Sequence, residues 1–165
     1  MEKETVELLV RTAALEAVRE FEKSQKKSRK VRVFQNAKIL MENYNRICKS
    51  VQEGISELSD VGNGEQLEEL SAEDIYINSI IKSKLRSIVM IAHIDKCLGL
   101  LEGEMIRKET PEKYRAFKYF YLEAMAPEDI AEDLNCADRT VWRWVSELTN
   151  ILCVYLFGAD AVILD

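Results

Sequence analysis

Arg139 and Arg143 lie four residues apart in the segment Arg139-Thr-Val-Trp-Arg143. On a helix that spacing projects both guanidinium groups from one face, one turn apart. A guanidinium presents a planar fork of N–H donors, which grips O6 and N7 of guanine as a bidentate pair. Such a contact contributes about 1–3 kcal/mol of discrimination against other bases. Asp138, Thr140, Trp142 and Ser146 complete the group of candidate DNA-contacting residues, with Trp142 able to meet a thymine methyl or a sugar. Two alternatives stay open at this stage. The arginines can pair with Glu132, Asp133 or Glu147 on the surface, and Trp142 can be the half-buried edge of a core.

The elements that must position these residues read as a helix-turn-helix over Pro127–Trp144. In its first helix Ile130, Ala131 and Leu134 share one face, leaving Glu128, Asp129, Glu132 and Asp133 to solvent. Ala131 stands where two helices cross closely. Asn135 follows the last apolar residue, where a left-handed cap is comfortable only for Gly or Asn. The second helix starts at about Asp138 and turns Val141, Trp144, Val145, Leu148 and Leu152 inward. That directs Asp138, Arg139, Trp142, Arg143 and Ser146 outward, toward a major groove.

The 165 residues carry a net charge of −6, which at first argues against nucleic acid. The charge is unevenly placed, however. From Lys23 to Ser50 there are nine bases and Glu42 as the single acid, whereas Pro111–Asp165 holds five bases and ten acids. Phosphate attraction depends on the local patch, so Lys26, Lys27, Arg29, Lys30 and Arg32 are candidate phosphate contacts, with a solvated helix face as the alternative. Cys48, Cys97, Cys136 and Cys153 are widely spaced and His93 is the one imidazole, so no zinc-finger spacing exists and reduced thiols are expected. There is no Gly-rich phosphate loop, nucleophile elbow or triad. No enzyme, metal or cofactor is therefore expected. No run of eighteen apolar residues occurs, and the charged start Met1-Glu-Lys-Glu-Thr is unlike a signal peptide. The expectation is a soluble, cytoplasmic protein that does not associate with membranes.

Apolar residues recur at helical spacing nearly throughout, so the fold class is all-α. A first helix over about Thr5–Phe21 carries Val6, Leu9, Val10, Ala13, Ala17 and Phe21 on one stripe. Glu22–Lys30 either breaks the pattern or extends the helix into solvent. A second helix over about Val31–Leu58 uses Phe34, Ala37, Met41, Tyr44, Cys48, Val51 and Ile55. Ser59–Leu70, with Gly62, Asn63 and Gly64 among acids, reads as a loop or boundary. Ser71-Ala-Glu-Asp74 has capping-box character and opens a long helix to about Leu101, with Gly103 expected to end it. Ile77–Leu101 is apolar on more than one face, as in a central strut or an oligomer interface. Thr110-Pro111 then starts a helix over Pro111–Ala124 that buries Tyr114, Phe117 and Tyr121, with Phe120 as a further candidate.

Pro111–Leu152 resembles region 4 of bacterial sigma factors. The likeness rests on the packing helix Tyr114–Leu122, on Ile130-Ala-Glu-Asp-Leu134 and on Arg139-Thr-Val-Trp-Arg-Trp144. Asn36–Tyr44, Met90–Lys96 and Leu156–Asp160 extend it to the ArpU/RinA type of phage-associated transcription regulator. Two departures stand out. Ala126 and Ala137 replace the usual Ser or Thr caps, each at about 1 kcal/mol, and Asp138 occupies an outward position that is often basic. Nothing resembles the promoter-melting helix of region 2.

The resemblance implies a helical N-terminal bundle or hairpin (1–105, possible in an oligomerising role) ahead of a DNA-binding helix-turn-helix domain (106–165). It implies a sequence-specific transcription regulator with double-stranded DNA and RNA polymerase as partners, while the broad apolar surface of Ile77–Leu101 adds the expectation of a homo-oligomer. The alternative is a DNA-binding assembly or accessory factor, such as a phage packaging small subunit or a recombination accessory protein. An adaptor that has lost DNA is a third.

Overall fold

A computed structural model describes residues 2–60 and 72–162, with side chains described at 10–53, 72–73, 75–159 and 161–162. The described elements are α1 (Glu2–Asp60), α2 (Ala72–Arg107), α3 (Pro111–Tyr121), α4 (Pro127–Asp133) and α5 (Asp138–Phe157), closed by a 3-10 turn at Gly158–Ala161. The fold is all-α. Among the described residues no helix is long and apolar enough to cross a membrane. The glycines at 62 and 64 and the expected cap at Ser71 lie outside the described residues.

The two N-terminal segments are one helix. α1 runs for 59 residues without interruption, about 90 Å at 1.5 Å per residue. The stretch from Glu22 to Lys30 leaves the apolar pattern but contains neither Gly nor Pro and is rich in Lys, Arg, Glu and Gln, which are good helix formers. Of the expected N-terminal stripe, Val6 and Leu9 lie outside the described side chains; among the described ones Val10 and Phe21 are each 65% exposed, and Ala13 and Ala17 also face solvent. The second apolar series does pack. Ala37, Met41 and Val51 are buried, and Phe34, Tyr44 and Cys48 are half-buried.

α2 lies alongside the second half of α1. The Tyr44 hydroxyl donates to the Asp95 carboxylate, and burial, followed by this hydrogen bond, raises the phenol pKa. From that contact Asp60 is about 24 Å along α1 and Ala72 about 34 Å back along α2. A parallel course would ask the connecting residues 61–71 to span about 58 Å, beyond their reach of about 42 Å, so the two helices are antiparallel. Ile81, Ile88 and Ile91 are half-buried along this seam, and Ile94, Leu98 and Leu101 are fully buried further on. Ile77, Ile80, Leu85 and Val89 stay exposed, so α2 is a strut at its C-terminal end and unpartnered on part of its N-terminal half.

Gly103 does not end α2, because Leu101 and Met105 are both buried and draw the next turn onto the core. The helix stops at Arg107, where Glu109 turns left-handed (φ 56°). There the Thr110 N–H bonds Met105 O and the Glu109 N–H bonds Ile106 O, a Schellman closure. Thr110 precedes Pro111 as expected, but its hydroxyl makes no cap bond and turns instead to the Met105 sulfur. α3 ends at Tyr121 rather than Ala124, and the Asn45 side chain of α1 donates to the carbonyls of Leu122 (2.9 Å) and Tyr121 (3.4 Å). A side chain from α1 thus satisfies carbonyls that a helix end leaves orphaned.

One core takes residues from every helix: Met41 of α1, Ile94 to Met105 of α2, Tyr114, Phe117 and Tyr121 of α3, Ile130 and Ala131 of α4, and Val141, Val145, Leu148 and Leu152 of α5. A smaller cluster joins Ala37, Cys153 and Ala161. Burial pushes the Cys97 and Cys153 thiols up, as suits packed rather than reactive cysteines.

At the α2–α5 contact the Tyr155 hydroxyl donates to Glu104 Oε2 at 2.7 Å, and Lys108 donates to the same carboxylate. Lys108 first and then Tyr155 lower the Glu104 carboxyl pKa. A lowered folded-state pKa contributes stability above the unfolded value, lost as pH falls through the folded one. Glu104→Gln is therefore expected to destabilise the protein at pH 7, with the difference from the parent closing below about pH 4. Urea denaturation across that pH range checks it.

Candidate nucleic-acid interface

The turn between α4 and α5 is fixed by backbone geometry. Asn135 is left-handed (φ 50°), the Cys136 N–H bonds Ala131 O at 2.9 Å, and the Asn135 N–H bonds Glu132 O at 3.2 Å. This is a second Schellman closure, placed where the sequence expects it. Ala126 and Ala137 occupy the N-cap positions and supply no side-chain bond. Pro127 at the start of α4 removes one orphan N–H, and Asp138 stands in the first turn of α5, where a carboxylate favours the positive helix end.

α5 divides cleanly. Val141, Val145, Leu148 and Leu152 are buried, Trp144 is half-buried against the same core, and Asp138, Arg139, Trp142, Arg143 and Ser146 are exposed. Thr140 departs from the expected group, being half-buried at the edge of the exposed face. Among the described residues Arg139 and Arg143 form no ion pair. Of the acids open to them, Glu147 is taken by Lys113 of α3, whose ammonium donates to both carboxylate oxygens at 2.8 and 3.0 Å. That pair also holds α3 against α5.

Trp142 is both solvent-facing and packed. It is 53% exposed, yet Phe120 of α3 stands edge-on to its ring, with centroids 5.4 Å apart. Phe120 in turn meets Tyr121 edge-on at 4.8 Å. Below them the Thr149 hydroxyl donates to Val145 O at 2.7 Å and accepts from Tyr121 at 3.3 Å. An aromatic row therefore runs from the exposed face of α5 into the core and fixes the indole's direction.

The exposed stripe is longer than the expected group of residues. Arg139, Arg143, Ser146 and Asn150 follow at spacings of four, three and four, and Asn150 Nδ2 donates to Ser146 O at 3.1 Å. Asn150 was legible from that spacing. Its neighbour was not: Lys30 of α1 lines a cleft of about 320 Å³ together with Asn150, Cys153 and Val154. The basic segment of α1 therefore adjoins the far end of the α5 stripe at Lys30. Lys26, Lys27, Arg29, Lys30 and Arg32 are all exposed. The acids Glu128, Asp129, Glu132 and Asp133 of α4 are exposed as well.

His93 is exposed, with its Nε2 3.3 Å from Leu156 O. Among the described residues no cluster of metal-ligating side chains forms.

No family model matches the chain, and no curated protein or solved structure does either. Its chemistry must be read from its own residues.

Because the turn depends on a left-handed residue, Asn135→Gly is expected to keep or raise stability. Asn135→Val is expected to cost about 1–2 kcal/mol, since a β-branched side chain resists that conformation. Urea midpoints of the two variants check this.

Proposed function

We propose that this chain is a sequence-specific DNA-binding transcription regulator of phage or mobile-element type, which lays the exposed stripe of α5 into a major groove. The observation that carries the reading is the pair Arg139 and Arg143, exposed on one face of a helix whose opposite face is locked in the core. A rigid helix with two unpaired guanidinium groups on successive turns suits bidentate readout of guanines. Asn150 lengthens that face, and Trp142 offers an apolar edge for a thymine methyl.

The acids of α4 repel phosphate, so α4 is not expected to lie on the DNA backbone. The positive charge that balances them comes from α1. Lys30 adjoins the end of the stripe, and the bases preceding it extend the footprint by phosphate contacts that carry no sequence information. By its resemblance to region 4, the chain takes RNA polymerase as a further partner. A second copy is the other partner expected of a helix-turn-helix protein, because paired half-sites mirror a protein twofold.

Selection of bound duplexes from a random pool at a stated salt concentration tests the reading. An enriched motif is expected. Arg139→Ala with Arg143→Ala should lower affinity for it by roughly 10- to 1000-fold and relax guanine preference. Lys27→Gln with Lys30→Gln should weaken all sequences alike and reduce the salt slope by about one per lost contact. Binding unchanged by the arginine substitutions, with no enriched motif, overturns the proposal and favours a protein-binding adaptor.

A further inference from the structure

From Val10 to Arg32 every side chain of α1 is exposed, although this stretch holds five large apolar residues, Val10, Leu15, Val18, Phe21 and Val31. Val10, Ala14, Ala17, Phe21, Ser24, Ser28 and Val31 recur at alternating spacings of four and three. At about 100° per residue they fall within a sector of about 100°. A 3.5-residue repeat keeps one seam facing a second helix. Small residues at four of its seven positions permit close approach. Among the described residues the core and the α1–α5 cleft take α1 side chains from Lys30 and Val33 onward, and the seam positions before Val31 are exposed.

We propose that the occupant is a second copy, with residues 10–21 of two chains pairing as an antiparallel, twofold-symmetric helix pair. An isologous contact must be complementary to itself, and this seam is. Setting Ala14 opposite Ala17 of the partner copy places Val10 opposite Phe21, and the twofold repeats both layers. The bulky layers then flank a narrow centre. A parallel pair would stack Phe21 on Phe21 and lay Lys23, Lys26, Lys27, Arg29, Lys30 and Arg32 beside their own copies, within a Debye length of about 8 Å. The antiparallel setting brings each basic run alongside the partner copy's first turns, where the sequence has Glu2, Glu4 and Glu7 against Lys3.

The pairing does not rest on the DNA reading, but it deepens it. The pair's midpoint lies between residues 15 and 16, and α1 first enters the core at Ala37, about 32 Å away. The two points at which α1 enters the core would stand about 65 Å apart, a span on the order of two turns of B-DNA at roughly 34 Å each.

The test uses the full-length chain without DNA. Val10→Cys and Phe21→Cys chains are oxidised separately and mixed, with the parent chain as the background for its own cysteines. A covalent dimer that forms only in the mixture is expected. Dimers from each variant alone indicate a parallel pair, and no added crosslink indicates a different surface; either result overturns the proposal. Ala14→Glu with Ala17→Glu should halve the mass seen by light scattering while leaving the near-ultraviolet tryptophan signal intact. A monomeric parent chain, or a variant of unchanged mass, overturns it equally. Because no DNA is present, these results are independent of whether α5 reads bases.

Discussion

Burial of one stripe of α5 is the constraint on which the rest of the molecule depends. α5 touches every other described helix and the closing 3-10 turn, and its inward residues sit at the centre of the shared core. A helix anchored on one side has no freedom to choose its other side. The same hydrophobic burial that holds the fold together therefore sets the direction of Arg139, Trp142 and Arg143. Polar contacts at the rim, Lys113 with Glu147 and Tyr155 with Glu104, refine the seating of α3 and α2 on that helix. Part-buried hydrogen bonds of this kind contribute about 1–3 kcal/mol each, less than burial of the whole apolar stripe, so they adjust a position that packing has already fixed.

The electrostatics of the molecule are divided by helix rather than by domain. α4 is an acidic rod, the exposed side of α5 is basic at two turns, and the middle of α1 is strongly basic. An overall charge of −6 averages over these regions and describes none of them. Anion attraction along one edge and repulsion along another orient an approaching polyanion before any contact forms.

The sequence made the C-terminal half legible because its signals are local. Pro127, the 3–4 spacing of Ile130, Ala131 and Leu134, and Asn135 at the turn each act within a few residues, and the helix boundaries follow from them. Legibility failed where distant parts decide. Gly103 carries the usual mark of a helix end, yet burial of Leu101 and Met105 drives the helix through it. The charged run after Phe21 has no apolar periodicity, so spacing alone left its continuity open, and backbone propensity keeps it helical. The role of Asn45 at the end of α3, and the place of Lys30 beside Asn150, depend on how α1 crosses α5. No local pattern encodes that crossing.

α1 is unbroken from the exposed N-terminal seam to the core residue Met41, which gives the molecule a fixed phase. Each residue of an α-helix adds about 1.5 Å of length and 100° of rotation. The number of residues between Phe21 and Ala37 therefore sets the azimuth of the globular half about the axis of α1, as the tooth count of a gear sets its angle. Removing a single residue between Phe21 and Lys30 would leave the core contacts of α1 intact and swing the arginine face through more than a quarter of a circle.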